Sequence, residues 1–107
     1  MEKRKITADS PGTKFDEGKL RYDLMPVHSL EGVVKILTFG AQKYDDNNWR
    51  KMENLDRYYA ALMRHLEAVR KGEWLDSESG CPHLDHVMCN TIFLRELKWN
   101  KDGESHW

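Results

Sequence analysis

Residues 64–90, RHLEAVRKGEWLDSESGCPHLDHVMCN, decide the fold of this chain. The stretch begins on a helical apolar pattern, breaks at Gly72 and resumes helical spacing near His83. Gly72 is typical of the residue that follows a helix C-terminus, and the Ser, Gly and Pro residues of 73–82 are typical of a loop. The stretch therefore predicts two helices joined by a short acidic loop.

The composition is that of a small, polar domain. The 107 residues carry a net charge of -1, with 33% charged and 39% hydrophobic residues. A chain of this length forms one domain with a thin core, and small helical chains often complete such a core by oligomerising. We therefore expect a single all-α domain over residues 1–107, with flexible ends at 1–13 and 100–107, that forms a homo-oligomer (a dimer or a tetramer).

The charge balance limits the possible partners. Binding to a nucleic-acid polymer or to an anionic membrane needs a basic surface, which a net charge of -1 does not indicate. No apolar run reaches the length of a membrane span, and residues 1–10 lack the apolar segment of a signal peptide. The two cysteines, Cys81 and Cys89, do not indicate a disulfide framework. We expect a cytoplasmic protein with a small-molecule partner.

Helical spacing predicts a bundle of three to four helices. The first helix follows Pro26 and ends near the turn-forming residues 45–48, DDNN. The second begins after Asn54, which can cap it, and the third runs from about His83 to Trp99. The apolar stripes consist of Leu30, Val33, Val34, Leu37, Ala41 and Tyr44 in the first helix and of Leu55, Tyr59, Leu62, Leu66 and Val69 in the second.

The same geometry places three histidines at one end of the bundle. His65 lies on the flank of the second stripe, and His83 and His86 share one face of the third helix, with Glu73 and Asp76 in the loop between. Carboxylates favour Mg²⁺ or Mn²⁺, and imidazoles shift the preference towards Mn²⁺ or softer ions. The segment therefore indicates a metal site. The alternative is that each histidine is a hydrogen-bonded core residue.

A closed zinc site is another interpretation of this segment. Cys81, His83, His86 and Cys89 could hold a structural Zn²⁺, although their spacing is unlike that of the usual zinc fingers and ribbons. The chain would then be a structural or interaction protein.

The segment GAQKYDDNNWRK, residues 40–51, combines cations with flat aromatic surfaces. Lys43 and Arg50 could bind phosphates, and Tyr44 and Trp49 could stack on a base. The alternative is an ordinary helix C-terminus with aromatic side chains packed in the core.

The segment KFDEGKLRYDLMP, residues 14–26, shows no helical stripe. It is expected to be an ordered loop or short extended segment that lies over the bundle. Lys14 and Lys19 could contact phosphates there. The alternative is a solvated connector.

Three segments together resemble a known family. KFDEGKLRYDLMP, LTFGAQKYDDNNWRK and RHLEAVRKGEWLDSESGCPHLDHVMCNTIFL are similar to phage and bacterial dATP/dGTP diphosphohydrolases, which include MazZ-like enzymes and are related to the MazG-like all-α NTP pyrophosphatases. The resemblance covers residues 14–98. It is most specific in FGA-x-KY-x-x-x-NWRK and in RH…GE-x-x-D-x-E-S-G-x-P-H-L-x-H…N.

The resemblance implies an oligomeric all-α enzyme that cleaves a purine deoxynucleoside triphosphate, dGTP or dATP, into the monophosphate and pyrophosphate. Mg²⁺ or Mn²⁺ would be held by acidic side chains, and a phage-encoded member would act in the host cytoplasm. The related superfamily pairs an E-x-x-E motif with an E-x-x-D motif. Glu73-x-x-Asp76 matches the second spacing, whereas His65 stands where paired glutamates would supply the first.

The candidate residues fall into three predicted roles: catalysis, metal binding and substrate binding. The predicted catalytic residues are Glu73, Asp76 and His65. The predicted ligands of Mg²⁺ or Mn²⁺ are Glu73, Asp76, His83 and His86. The predicted substrate-binding residues are Lys14, Lys19, Lys43, Tyr44, Trp49, Arg50 and Asn90. The alternatives are a non-catalytic nucleotide-binding protein and the zinc-stapled protein described above.

Overall fold

The structure is a computed structural model that describes residues 17–102, with side chains described up to residue 99. Its three helices are α1 (Val27–Lys43), α2 (Asp56–Arg70) and α3 (His83–Asp102), with short 3-10 segments at Tyr22–Leu24 and Asn48–Lys51. Within residues 17–102, the β pairing consists of one isolated bridge between Leu75 and Pro82. The predicted all-α architecture is confirmed, with three helices.

The predicted local chemistry of α2 holds fully at its C-terminal end and partly at its N-terminal end. Leu55 occupies the N-cap position, and the side-chain oxygen of Asn54, one residue earlier, accepts the backbone N–H of Asp56 at 3.1 Å. At the other end, Gly72 adopts a φ of 97°, and its N–H donates to the carbonyl of Val69 at 2.9 Å. A residue with a side chain is strained in that conformation, so glycine ends the helix here.

The central element is α3, because it packs against both of the other helices. On the α1 side, Val33, Ile36 and Cys89 form the buried apolar cluster. Gly32 of α1 permits a close approach, because a Cβ at this position would lie 2.5 Å from Oδ2 of Asp85 on α3. The side of α3 that carries Asp85 therefore faces α1.

The apolar stripe predicted for α1 is only partly buried. Val33 is 6% exposed, whereas Leu30 and Val34 are each 50% exposed. The helix instead presents Gly32, Val33 and Ile36 to α3. Its apolar residues therefore continue onto a side that nothing in the described part of the chain covers.

The segments outside the helices differ from the predictions in two ways. Residues 17–26 are all exposed, so the expectation that this segment lies over the bundle is wrong for the part described. Residues 100–102 continue α3, so that helix extends beyond its predicted end. Of the flexible ends predicted at 1–13 and 100–107, residues 1–13 and 103–107 lie outside the described residues. Across residues 17–102, no helix has both the length and the hydropathy needed to cross a membrane.

Candidate metal centre and adjoining cleft

A hydrogen-bonded turn around Asp76 shapes the loop between α2 and α3. The backbone N–H of Asp76 donates to the carbonyl of Cys81, and the N–H of Gly80 donates to the carbonyl of Asp76, both at 2.8 Å. The N–H and the hydroxyl of Ser79 donate to Oδ2 of Asp76 at 2.8 and 2.9 Å. These bonds hold the carboxylate in one position relative to the start of α3.

Three imidazoles converge on this carboxylate. The Nδ1 atoms of His65 and His83 are 2.8 Å apart, and the rings of His65 and His86 stack with their centroids 4.4 Å apart. Nε2 of His86 lies 2.7 Å from the hydroxyl of Ser79 and 3.7 Å from Oδ2 of Asp76. Potential ligand atoms of His65, Asp76 and His83 all lie within 4.8 Å of one another. The structure thus brings α2, the loop and α3 together at one point.

The surroundings favour the protonation states that bind metal ions. Burial, reinforced by the neighbouring imidazoles, lowers the pKa of His65. Burial likewise lowers the pKa of His86, so both rings are favoured in their neutral form. For Asp76, burial acts to raise the pKa, but the hydrogen bonds from Ser79 outweigh it and hold the pKa below its usual value. Neutral imidazole and ionised carboxylate are the ligand forms.

One buried nitrogen supports the fit of a metal ion to this donor set. The side chain of His83 is only 7% exposed, and its Nε2 has no hydrogen-bond partner. The carboxylate of Glu73 lies 3.7 Å from that nitrogen, and the Glu73 side chain is 59% exposed. An unpaired buried polar atom is unfavourable unless a ligand, ion or water satisfies it. The chemistry of the cluster therefore fits a divalent cation.

Neither cysteine thiol joins this donor set. Cys89 is 1% exposed and packs with Val33 and Ile36 towards α1, and Cys81 packs against the same apolar cluster. Burial raises the pKa of Cys89 to about 12, which keeps the thiol protonated. Among the described side chains, the group of potential metal ligands contains neither cysteine. These positions argue against the zinc-stapled interpretation.

An open cleft of about 800 Å³ adjoins the cluster at His86. Its walls are the C-terminal end of α1, the 3-10 segment after it, Glu78 of the loop and Phe93 of α3. The volume is in the range of small-molecule sites. Four of the predicted substrate-binding residues line it, namely Lys43, Tyr44, Trp49 and Arg50.

The aromatic residues of the cleft differ in how far their rings are exposed to a ligand. The ring of Trp49 stacks on Phe93 with the centroids 4.6 Å apart, and the guanidinium of Arg50 lies 4.4 Å from the Trp49 ring. Tyr44 is 56% exposed. Trp49 therefore serves partly as the packed wall anticipated by the alternative interpretation, while Tyr44 offers an open ring face.

An ion pair joins the cleft to the loop. The ammonium of Lys43, at the end of α1, pairs with the carboxylate of Glu78, and this hydrogen bond raises the pKa of Lys43. Glu78 and Ser79 both belong to the motif that carries the family resemblance, but the sequence assigned no role to Glu78 or to Ser79, which contacts both Asp76 and His86. The spacing Asp76-x-x-Ser79 is a turn signal that could have identified Ser79.

The remaining predicted substrate-binding residues do not line the cleft. Asn90 is 8% exposed, and its side-chain amide donates to the carbonyl of His86 at 2.9 Å. Lys19 lies in the exposed segment before α1. Lys14 lies outside the described residues.

Comparison with known proteins gives two findings. The family model described as dATP/dGTP diphosphohydrolase, N-terminal, matches residues 9–106. A protein of Salmonella phage PMBT28 named dATP/dGTP diphosphohydrolase is 32% identical over 90 residues, which cover 84% of this chain and 31% of that protein. The chain thus spans about a third of the length of this relative. No solved structure matches the chain. The family match extends over nearly the whole sequence, and the chain therefore belongs to the dATP/dGTP diphosphohydrolase N-terminal family.

Proposed function

We propose that this chain hydrolyses a purine deoxynucleoside triphosphate, dGTP or dATP, to the monophosphate and pyrophosphate with the help of a divalent metal ion. The observation that carries the proposal is the position of His86, which belongs both to the imidazole–carboxylate cluster and to the wall of the cleft. The family and the name of the phage relative support the choice of substrate.

The metal ion, Mg²⁺ or Mn²⁺ on the sequence prediction, would be held by His65, Asp76 and His83, whose potential ligand atoms converge. The predicted ligands Glu73 and His86 lie beside this group and not in it. When bound, it supplies positive charge next to the phosphates and lowers the pKa of a coordinated water. The protein contributes the arrangement of the donors, since Ser79 holds both Asp76 and His86.

Other residues of the chain bind the substrate. Lys43 and Arg50 neutralise the charge of the triphosphate from the wall of the cleft. Tyr44, with its exposed ring, stacks on the purine. Phosphates held between these cations and His86 would bring the α-phosphorus to the side of the cleft that carries the cluster.

Hydrolysis requires a base for the attacking water. The carboxylate of Glu73 is exposed and lies 3.7 Å from Nε2 of His83. The predicted catalytic residue Glu73 does not belong to the converging ligand group. It would accept the proton as the water oxygen bonds to the α-phosphorus and the bond from that phosphorus to the bridging oxygen breaks. Pyrophosphate leaves with the bonding electrons.

A product assay tests this function. The purified chain is incubated with each dNTP and NTP, with Mg²⁺ and separately with Mn²⁺, and the products are resolved by ion-exchange chromatography. We expect dGMP or dAMP together with pyrophosphate. A diphosphate with orthophosphate would show that a different bond is cleaved. Nucleotide binding without any product would favour the non-catalytic nucleotide-binding alternative.

A further inference from the structure

The cluster contains more nitrogen than oxygen donors. His65, His83 and His86 surround a single carboxylate of the turn, that of Asp76. Mg²⁺ binds oxygen ligands almost exclusively and gives up its water reluctantly, whereas imidazole suits first-row transition ions. The potential ligand atoms that lie within 4.8 Å of one another are those of His65, His83 and Asp76, with the ring of His86 beside them. Two imidazoles and one carboxylate are therefore an unfavourable set for Mg²⁺.

The nearby carboxylates do not correct this imbalance. Glu78 is paired with Lys43 at the cleft, and Asp85 lies against Gly32 of α1. Glu73 is exposed and lies 3.7 Å from Nε2 of His83, whereas it is Nδ1 of His83 that faces His65. The inner part of the site thus remains rich in nitrogen.

The geometry of the rings also favours a shared ion. The Nδ1 atoms of His65 and His83 lie 2.8 Å apart. Nitrogen ligands with bonds of about 2.1 Å are about 3 Å apart around an octahedral ion and about 3.4 Å apart around a tetrahedral one. The second nitrogen of His83 is buried without a hydrogen-bond partner. Without an ion, the two Nδ1 atoms share one proton in a hydrogen bond, and an ion bound by both nitrogens would replace that proton.

We infer that this cluster is a nitrogen-rich centre that selects a first-row transition dication, such as Mn²⁺, Co²⁺ or Zn²⁺, over Mg²⁺. The inference rests on the proposed function in placing a catalytic ion here, and it narrows the choice between Mg²⁺ and Mn²⁺ that the sequence left open. Metal binding to the cluster can be measured without nucleotide turnover.

The test is direct metal binding to the full chain freed of metal. Co²⁺ is titrated while its visible absorption is recorded, because that spectrum reports nitrogen ligands, and Mn²⁺, Zn²⁺ and Mg²⁺ are titrated by calorimetry. We expect one Co²⁺ per chain, and affinities for Co²⁺ and Zn²⁺ at least about 100-fold above that for Mg²⁺.

Matched variants locate the ion. His65→Gln and His86→Gln are expected to weaken Co²⁺ binding at least about 10-fold and to change its spectrum. His28→Gln is the control, since His28 is exposed on α1 and does not belong to the cluster. Circular dichroism checks the fold of each variant. Because His83 is buried, it is instead followed in the wild-type chain by the nitrogen NMR signals of its ring during addition of Zn²⁺.

The outcomes separate this inference from the proposed function. Equal affinity for Mg²⁺ and Co²⁺, Co²⁺ binding that His65→Gln and His86→Gln leave unchanged, or ring nitrogens that do not respond to Zn²⁺ would overturn the inference. Tight Co²⁺ binding through these imidazoles with every nucleotide left intact would support the inference and overturn the proposed function. Turnover with Mg²⁺ alone, without binding of the ion by the imidazoles, would support the proposed function and overturn the inference.

Discussion

At the scale of single residues, Asp76 is the carboxylate held most firmly at the candidate centre. Its Oδ2 accepts two hydrogen bonds from Ser79 and lies 3.7 Å from Nε2 of His86. These bonds hold its pKa below the usual value, so the group is ionised at neutral pH. Its charge is therefore available to a metal ion.

We expect Asp76→Asn to reduce triphosphate hydrolysis at least about 100-fold, because the amide lacks the negative charge that the centre needs. Helix content should change little, since an amide oxygen can still accept the bonds from Ser79. The measurement is the rate of monophosphate formation beside a circular dichroism spectrum. Glu67→Gln is the matched control, because Glu67 pairs with Arg70 on α2. A wild-type rate in Asp76→Asn would move the centre elsewhere.

Much of the residue-level site could be predicted from spacing alone. His83 and His86 are one helical turn apart, so their rings must share a face, and His65 precedes them on a helix that the loop folds back. The turn spacing Asp76-x-x-Ser79 could have identified Ser79, but Glu78 could not be placed from spacing, because its contact depends on the conformation of the loop. The ion pair between Lys43 and Glu78 could not be predicted from spacing either, because it joins segments that are far apart in the chain.

At the scale of elements, the contact between α1 and α3 is set by one glycine. Gly32 and Gly40 both lie in α1, but only Gly32 meets another element closely. Helical periodicity could not show which of the two glycines contacts α3. The apolar residues of α1 cover such a wide arc that spacing alone does not say which part faces α3.

We expect Gly40→Ala to raise the free energy of unfolding by about 0.5–1 kcal/mol, because alanine restricts the unfolded chain and nothing lies within 4 Å of the new Cβ. Gly32→Ala should leave the free energy of unfolding unchanged or lower it, since its Cβ would lie 2.5 Å from Oδ2 of Asp85. Urea unfolding measures both. In an Asp85→Ala background, Gly32→Ala should recover the gain. Equal effects of the two glycine substitutions would refute the close contact.

The ion pair between α1 and the loop gives a second prediction at this scale. Glu78 occupies the ammonium of Lys43, which the substrate phosphates would otherwise bind. Glu78→Gln is therefore expected to lower KM a few-fold, because exposed ion pairs are weak, and Lys43→Met to raise KM. Initial-rate kinetics measure both. Glu31→Gln, which removes an exposed pair with Lys35, is the control. A higher KM in Glu78→Gln would mean that Glu78 itself helps to bind substrate.

At the scale of the whole molecule, the chain leaves much apolar surface exposed. Leu30, Val34 and Leu37 form an exposed row on α1, and Leu20 and Leu24 before it are also exposed. A polar chain of this length has few other residues with which to build a core. The oligomer expected from composition would use this row as its interface.

We expect the wild-type chain to sediment as a dimer or larger assembly and Leu30→Lys to shift it towards the monomer, because a buried lysine without a partner opposes association. Gln42→Lys is the control, since it adds the same charge to an exposed position of the same helix. Analytical ultracentrifugation at several concentrations gives the result. A wild-type monomer at every concentration would contradict the expectation.

The order of the segments in the chain has a consequence for folding. The cluster draws on residues between His65 and His86, a hairpin of consecutive elements, whereas the cleft also needs Lys43 and the end of α1. Contacts close in sequence form faster than distant ones. If the proposed ion binds, it can be captured by this hairpin before α1 docks and would then act as a folding nucleus. The rate of refolding, and not only the final stability, should then rise with metal concentration.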